Sequence, residues 1–171
     1  ALYPPQRNLR KQKQTGVYLQ DQLATGGWRL TLGGRYDWVE IENTNRDSGV
    51  VTELDETQFS GRAGLLYLFD NGIAPYVYHS TSFSPSAYTD ENGDLLAPSE
   101  GKQIETGLRY QPVGTTDLYT LSLFRINQEN LATKQPQESF YRSIGEMESQ
   151  GVELEAKAQL TENLNVQAGY A

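Results

Sequence analysis

The side chains with the widest chemical repertoire are few in this chain: a single histidine, His79, a single methionine, Met147, and no cysteine. Without thiols there can be no disulfide framework and no thiolate metal site. His79 is followed by Ser80, but neighbours on an extended strand point to opposite faces, so the two cannot form a hydrogen-bonded catalytic couple. No GxSxG, HExxH or phosphate-cradling glycine loop surrounds any other nucleophile. Asp90, Glu91, Asn92 and Asp94 in YTDENGDLL have the acidity of a calcium loop. Gly93, however, stands fourth where an EF-hand-type loop needs its glycine sixth, so the segment reads as a solvated turn at a loop tip. No catalytic residue and no metal ligand set is assigned, and the chain is not read as an enzyme.

What remains is charge and aromatic surface. The net charge of −8, from 22 acidic against 14 basic residues, argues against a nucleic-acid partner, which needs a clustered cationic face. The basic run Arg7, Arg10, Lys11 and Lys13 is too short to alter that and reads as a solvated lead-in. The opening ALYPPQRN has no apolar core behind a basic start, so no secretory leader is expected in it. No apolar run approaches the ~18 residues a membrane helix needs. If the chain meets a membrane, it does so as strands.

The elements that must position these groups are strands throughout. Helical periodicity is nearly absent, while period-two stretches recur along the whole length between turn formers, which points to an all-β antiparallel architecture. In WRLTLGGRYDW, Trp28, Leu30, Leu32, Gly34, Tyr36 and Trp38 share one face, and Arg29, Thr31, Gly33, Arg35 and Asp37 share the other. QIETGLRY opposes Ile104, Thr106, Leu108 and Tyr110 to Gln103, Glu105, Gly107 and Arg109. GVELEAKA opposes Val152, Leu154, Ala156 and Ala158 to Gly151, Glu153, Glu155 and Lys157. Phe59, Gly61, Ala63, Leu65, Tyr67 and Phe69 make a fourth apolar face. Asp21 interrupts a fifth, formed by Val17, Leu19 and Leu23. In IAPYVYHSTSF both faces carry apolar groups, and its facing stays open.

The connections alternate in length. Short turns are expected at Thr25-Gly26-Gly27, Asp70-Asn71-Gly72, Pro112 to Thr116 and Thr161-Glu162-Asn163, and long loops over 43 to 54, 84 to 100 and about 129 to 141. Tight turns on one side and long polar loops on the other are the layout of outer-membrane barrels, and a soluble sandwich has no reason to sort its loops this way. From Trp28 to Trp38 is ten steps of about 3.3 Å, and a tilt near ~40° projects this to about 25 Å, the height of a membrane's apolar band. Trp28, Tyr36 and Trp38, with Tyr67 and Tyr110, then fall where aromatic girdles belong. Arg35, Arg62, Glu105, Arg109, Glu153, Glu155 and Lys157 lie opposite the apolar stripes and would line a polar lumen, pairing across strands. WRLTLGGRYDWVEIE runs past the ~9 to 11 residues that cross a bilayer, so it should project beyond it.

Several strings, KQKQTGVYLQDQ, LTLGGRYDW, LYLFDNGIAPYVYHSTSFSPS, LAPSEGKQIETGLRY and SQGVELEAKAQL, occur in order. Together they resemble the barrel of TonB-dependent siderophore receptors, and their close run is similar to the ferrichrome and ferrioxamine (hydroxamate) branch. The resemblance spans roughly residues 11 to 171. It implies a barrel of 22 strands in the bacterial outer membrane, plugged by a domain through which the TonB system acts, and importing an intact ferric siderophore. The division it implies is an extracellular lead-in over 1–13 and barrel wall over 14–171, about eight strands in all. The chain departs from the family in having no plug and in stopping at Tyr170-Ala171 partway through a strand, so it is expected to be an excised segment.

No cofactor is expected to be bound directly. A ferric hydroxamate arrives with its iron fully coordinated and is held by aromatic surfaces and hydrogen-bond donors. Candidates for that contact are Tyr76 and Tyr78, if their strand turns them to the lumen, and Phe83, Tyr88, Phe140 and Tyr141 in or near the long loops. Two other readings stay open beside the receptor wall. One is a soluble all-β binding module, an adhesin or lectin-like sandwich. The other is a self-contained outer-membrane barrel of eight strands.

Overall fold

A segment that alternates apolar and polar side chains can segregate them to two faces only if it stays extended, and this chain does so eight times. The structure, a computed structural model, describes residues 7–171. Its strands are β1 (Asn8–Thr25), β2 (Trp28–Asn45), β3 (Val51–Tyr67), β4 (Ile73–Ser84), β5 (Ser99–Tyr110), β6 (Leu118–Thr133), β7 (Arg142–Thr161) and β8 (Leu164–Tyr170). Their order across the sheet follows their order along the chain, and each neighbouring pair is antiparallel. Among the described residues the outer edges of β1 and β8 carry no strand partner. The eight strands therefore form an open sheet and do not close into a small barrel. The described residues contain no second sheet to pack against the first, which a sandwich requires.

The register places every anticipated apolar stripe on the same face. Leu23, Leu30, Leu65, Val77, Thr106, Leu123 and Val152 fall in one cross-strand row. The strand whose facing the sequence left open is settled by this register: Val77 and His79 join the apolar face, and Tyr76 and Tyr78 join the polar one. Asp21 sits opposite Leu32, on the apolar face between Leu19 and Leu23.

The two faces exchange character at one end of the sheet. On β2 the apolar face ends at Trp38 and continues as Glu40 and Glu42, while Val39 and Ile41 on the other face are only 1% and 2% exposed. The outer carboxylates pair with cations across the ladder, Lys11 with Glu42 at 2.9 Å and Lys13 with Glu40 at 3.2 Å. On β5 the change falls between Ile104 and Lys102, the latter 3.0 Å from Glu129, and on β6 it falls between Leu123 and Arg125. Leu123 shares its row with Leu30, so the line of exchange crosses the ladder rows obliquely. A flat interface meeting tilted strands produces that geometry. Near the opposite end aromatic rings cluster on the apolar face, Trp28 with Tyr67 at 4.8 Å and Tyr110 with Tyr119 at 6.2 Å. Tyr36 and Trp38, 5.0 Å apart, mark the other margin.

At the aromatic end the connections are 26–27, 68–72, 111–117 and 162–163. Gly72 adopts φ +85°, and its carbonyl accepts the Gln111 N–H at 2.9 Å, tying two of these turns together. At the other end they are 46–50, 85–98 and 134–141. Three expectations are corrected here. The loop placed at 43 to 54 is mostly strand, with pairing kept as far as Thr44↔Val51, because Ile41 and Leu54 meet and their polar neighbours face water. The loop placed from 129 begins only after Thr133, since β6 resumes beyond a bulge at Gln128/Leu131 in which Asn130 takes φ 57°. The lead-in placed at 1–13 is strand from Asn8 onward, held by Lys11 and Lys13; residues 1–6 lie outside the described residues.

One ladder is short. β3 pairs with β4 only from Arg62↔Ser80 to Leu66↔Tyr76, after which the strands part. The hydroxyl of Thr81 stands in for a backbone partner, accepting the Gly61 N–H at 2.9 Å.

Candidate functional site

The polar face and the loops above it hold nearly all the groups able to recognise anything. At the upper end Arg35 and Asp37, two residues apart on one strand, share that face. Arg35 Nε donates to both carboxylate oxygens of Asp37, at 2.9 and 2.8 Å, and Gln14 Nε2 adds a third bond at 3.0 Å. Gly16, which β1 places opposite Asp37, leaves room for this clamp; a Cβ there would collide with both partners. Asp37 is 1% exposed. The sequence singled out Arg35 but not the carboxylate that fixes it, although the spacing of two residues on an alternating strand was the available signal.

Lower on the same face, Arg62 of β3 lies flat across Gly33 of β2 and donates through Nη2 to Gln20 Oε1 of β1. It reaches over a whole strand because Gly33 has no side chain in the way. Together with Tyr18, Tyr78 and Ser80 these residues line an open groove of about 450 Å³.

Nearer the aromatic end the Tyr76 hydroxyl donates to Glu105 Oε1 at 2.6 Å, and the Arg109 guanidinium stands 5.9 Å from the Tyr76 ring centre. Gly107, opposite Tyr76, admits the ring. Tyr76, Glu105, Arg109 and Arg29 line a second recess of about 690 Å³. On β7, Glu153, Glu155 and Lys157 occupy the polar face opposite Ser122, Thr120 and Leu118. The cross-strand ion pairs expected of Arg62, Glu105, Arg109, Glu153, Glu155 and Lys157 do not form among the described residues. Only Arg35 of that set is paired, and its partner is on its own strand.

Over the upper end the β4–β5 connection folds into a small hairpin, bridged at Thr89↔Leu95. Leu95 drops onto Val39 and Ile41, with Leu54 and Phe83 packed alongside. Further ties come from Arg10 Nη2 to the Ser86 carbonyl at 3.0 Å, the Thr52 hydroxyl to the Gly93 carbonyl at 3.3 Å, and the Tyr141 N–H to the Thr89 carbonyl at 3.0 Å. Tyr88 and Tyr141 stack with ring centres 4.1 Å apart, and Lys134 Nζ lies 5.6 Å from the Tyr141 ring. Phe140 carries Arg142 at 5.1 Å.

The six aromatic residues singled out as ligand candidates therefore separate into three places. Tyr76 and Tyr78 stand on the polar wall. Phe83 is taken up by packing beneath the loop. Tyr88 and Tyr141 join two connections, with Phe140 beside them. The apolar cluster around Leu95 was not foreseen, because Leu95 and Leu96 follow a polar loop with no periodic partner. Among the described residues, the polar face under the loop cap offers a solute hydrogen-bond donors, acceptors and charges.

Comparisons with known proteins point the same way. The family model described as TonB dependent receptor-like, beta-barrel, matches residues 2–171. The chain is 49% identical over 164 residues to the ferrioxamine B receptor of Salmonella typhimurium, covering 96% of the chain and 23% of the relative. It is 44% identical to the ferrichrome outer membrane transporter/phage receptor of Escherichia coli K12, covering 97% of the chain and 22% of the relative. Among solved structures, the siderophore receptor PiuA of Acinetobacter baumannii superposes with a TM-score of 0.80 at 23% identity, over 94% of this chain and 25% of that one. The alcaligin outer membrane receptor FauA of Bordetella pertussis gives 0.78 at 25% identity, over 95% and 30%. The chain thus spans about a quarter of the length of the curated relatives it matches.

Proposed function

Because this chain belongs to the TonB dependent receptor-like β-barrel family, we propose that it forms part of the wall of a receptor importing a ferric siderophore, of the hydroxamate class, with energy supplied through TonB. Its place is the bacterial outer membrane. The apolar face meets lipid, with Trp28, Tyr67 and Tyr110 in the periplasmic girdle and Tyr36 and Trp38 in the extracellular one. The polar face lines the lumen with Arg35, Arg62, Glu105, Arg109, Glu153, Glu155 and Lys157. The turns at 26–27, 68–72, 111–117 and 162–163 are periplasmic. Residues 8–171 belong to the wall, and the TonB system acts through a plug domain filling the lumen.

The observation that carries this reading is the exchange of polarity at Trp38, where the lipid-facing side becomes charged just as the lumen-facing side becomes apolar beneath a loop. A wall leaving a membrane into a capped vestibule has that pattern, and a soluble sheet does not. The hydroxamate class rests on the 49% and 44% identities to receptors named for ferrioxamine B and ferrichrome. The chelate's own atoms complete the iron's coordination, so the protein supplies aromatic surface and donors, with Tyr88, Tyr141 and Phe140 at the mouth and Tyr76 and Tyr78 below, and performs no catalysis.

The test is uptake of ⁵⁵Fe-labelled ferrioxamine B and ferrichrome by cells whose only siderophore receptor is the full-length protein carrying this segment. Uptake of one of the two, abolished when TonB is deleted, is the expected result. Failure to bind or import either chelate would contradict the substrate class.

A further inference from the structure

The seam between β3 and β4 leaves a strand edge open in the middle of the sheet. Above Arg62↔Ser80 the ladder stops, and β3 continues to Val51 paired only with β2. The Gly61 N–H, aimed at β4, still finds the Thr81 hydroxyl. At the same strand period Phe59, Thr57, Asp55 and Glu53 turn their N–H and C=O groups to that side, where none finds a partner among the described residues.

Nothing in this edge discourages pairing. Strand edges are commonly protected by lysine, proline or a bulge. The stretch 51–61, VTELDETQFSG, has neither lysine nor proline, and its register against β2 runs without a shift. The 85–98 connection ties to the inner side of β3, through Thr52 and the packing of Leu95 beside Leu54. On the outer side Glu53, Asp55, Thr57 and Phe59 are exposed.

Charge beside the edge selects its occupant. Asp55 stands directly opposite Glu40, and Glu53 opposite Glu42. From β1, Lys13 reaches Glu40 at 3.2 Å and Lys11 reaches Glu42 at 2.9 Å. Asp55 and Glu53 lie one strand further on, with no cation within ion-pair distance among the described residues. Each row therefore runs lysine, carboxylate, carboxylate, open edge. Like charges facing across a ladder destabilise it, and a cation on the far side of Asp55 and Glu53 relieves that repulsion.

We propose that the open edge of β3 binds an extended polypeptide segment arriving from outside the cell, which adds a strand and sets basic side chains opposite Asp55 and Glu53. This rests on the reading of Trp38 as the outer margin of the membrane: Trp38 pairs with Thr57, so Asp55 and Glu53 stand above it. Main-chain hydrogen bonds supply the affinity, and the two carboxylates supply the choice of partner.

The test follows amide hydrogen exchange in the full-length receptor, without siderophore, in phosphatidylcholine vesicles. The probe is a short peptide alternating lysine and valine. One control alternates glutamate and valine, and a second keeps the lysine–valine sequence on an N-methylated backbone. At about ten times its dissociation constant the probe should slow exchange at Phe59, Thr57 and Asp55 about tenfold and leave 62–66 unchanged. Neither control should protect these amides, and E53Q/D55N should weaken the probe's effect. No slowing at any probe concentration, or equal slowing by all three peptides, would overturn the proposal. So would edge amides already protected without peptide, which would put another part of the receptor there, or a second copy if the protection grows with receptor density. Undiminished protection in E53Q/D55N would overturn the choice of a basic partner. Siderophore uptake does not enter the readout, so a failure here is distinct from a wrong substrate class, and lipid quenching along β2 tests the depth of Trp38 separately.

Discussion

Placing an arginine at successive positions along β2 measures the membrane directly. Leu32 is four residues from Trp28, about 13 Å along the strand and about 10 Å along the membrane normal at a tilt near 40°. The apolar band is about 25 Å tall, so Leu32 lies within a few ångströms of its centre. An arginine facing lipid at the midplane costs about 2–4 kcal/mol, falling to about 0–1 kcal/mol near an interface. L32R should therefore shift the folding equilibrium by roughly 30- to 700-fold, at 1.4 kcal/mol per factor of ten. T31R, one residue away but on the polar face beside Gly64, should cost less than about 1 kcal/mol, and W38R at the margin about 1 kcal/mol from the charge itself. The assay is urea unfolding of the full-length receptor in phospholipid vesicles. Equal costs for L32R and T31R, or a cost at Trp38 as large as at Leu32, would refute the reasoning.

Further outcomes follow from single contacts. L95A should loosen the cap, costing about 2–4 kcal/mol at a site buried against Val39 and Ile41, and should expose the 85–98 connection to protease while β4 and β5 stay resistant. Y76F removes the 2.6 Å bond to Glu105 and should lower stability by about 1–2 kcal/mol in the same unfolding assay. G72A forces a side chain into positive φ against the Gln111 backbone and should cost about 1–3 kcal/mol, read as a lower unfolding midpoint. Where β3 and β4 part, Gly61 turns its N–H toward Thr81, so Phe59, Thr57 and Asp55, at the same strand period, turn theirs to the same open edge. Hydrogen exchange at those three amides should be much faster than at the paired amides of 62–66.

Much of this architecture can be read from period two alone. The stripe Trp28 to Trp38, the face Phe59 to Tyr67 and the split of Glu153, Glu155 and Lys157 from Val152, Leu154 and Ala156 all appear as the alternation indicates. That rule fails where alternation continues with its meaning reversed. VEIE reads as a strand rising out of the membrane, but nothing in it shows that Val39 and Ile41 are the best-buried apolar residues, because it is a distant loop that covers them. The bulge at Asn130 leaves no mark in the alternation, since one left-handed residue resets the phase after it. For the site, residue types identified the polar wall but not its pairings. Asp37 depends on a glycine across the ladder, and Arg62 on a glycine beneath it.

The central claim is that adjacent residues of β2 face lipid and water in turn. Single cysteines placed from Arg29 to Asp37 in the full-length receptor, in membranes, would be probed with a water-soluble maleimide and with a label quenched by brominated lipid. Maleimide reaction at 29, 31 and 33 with lipid quenching at 30, 32, 34 and 36 is the expected result. Uniform labelling along the strand, or the reverse alternation, would contradict the account.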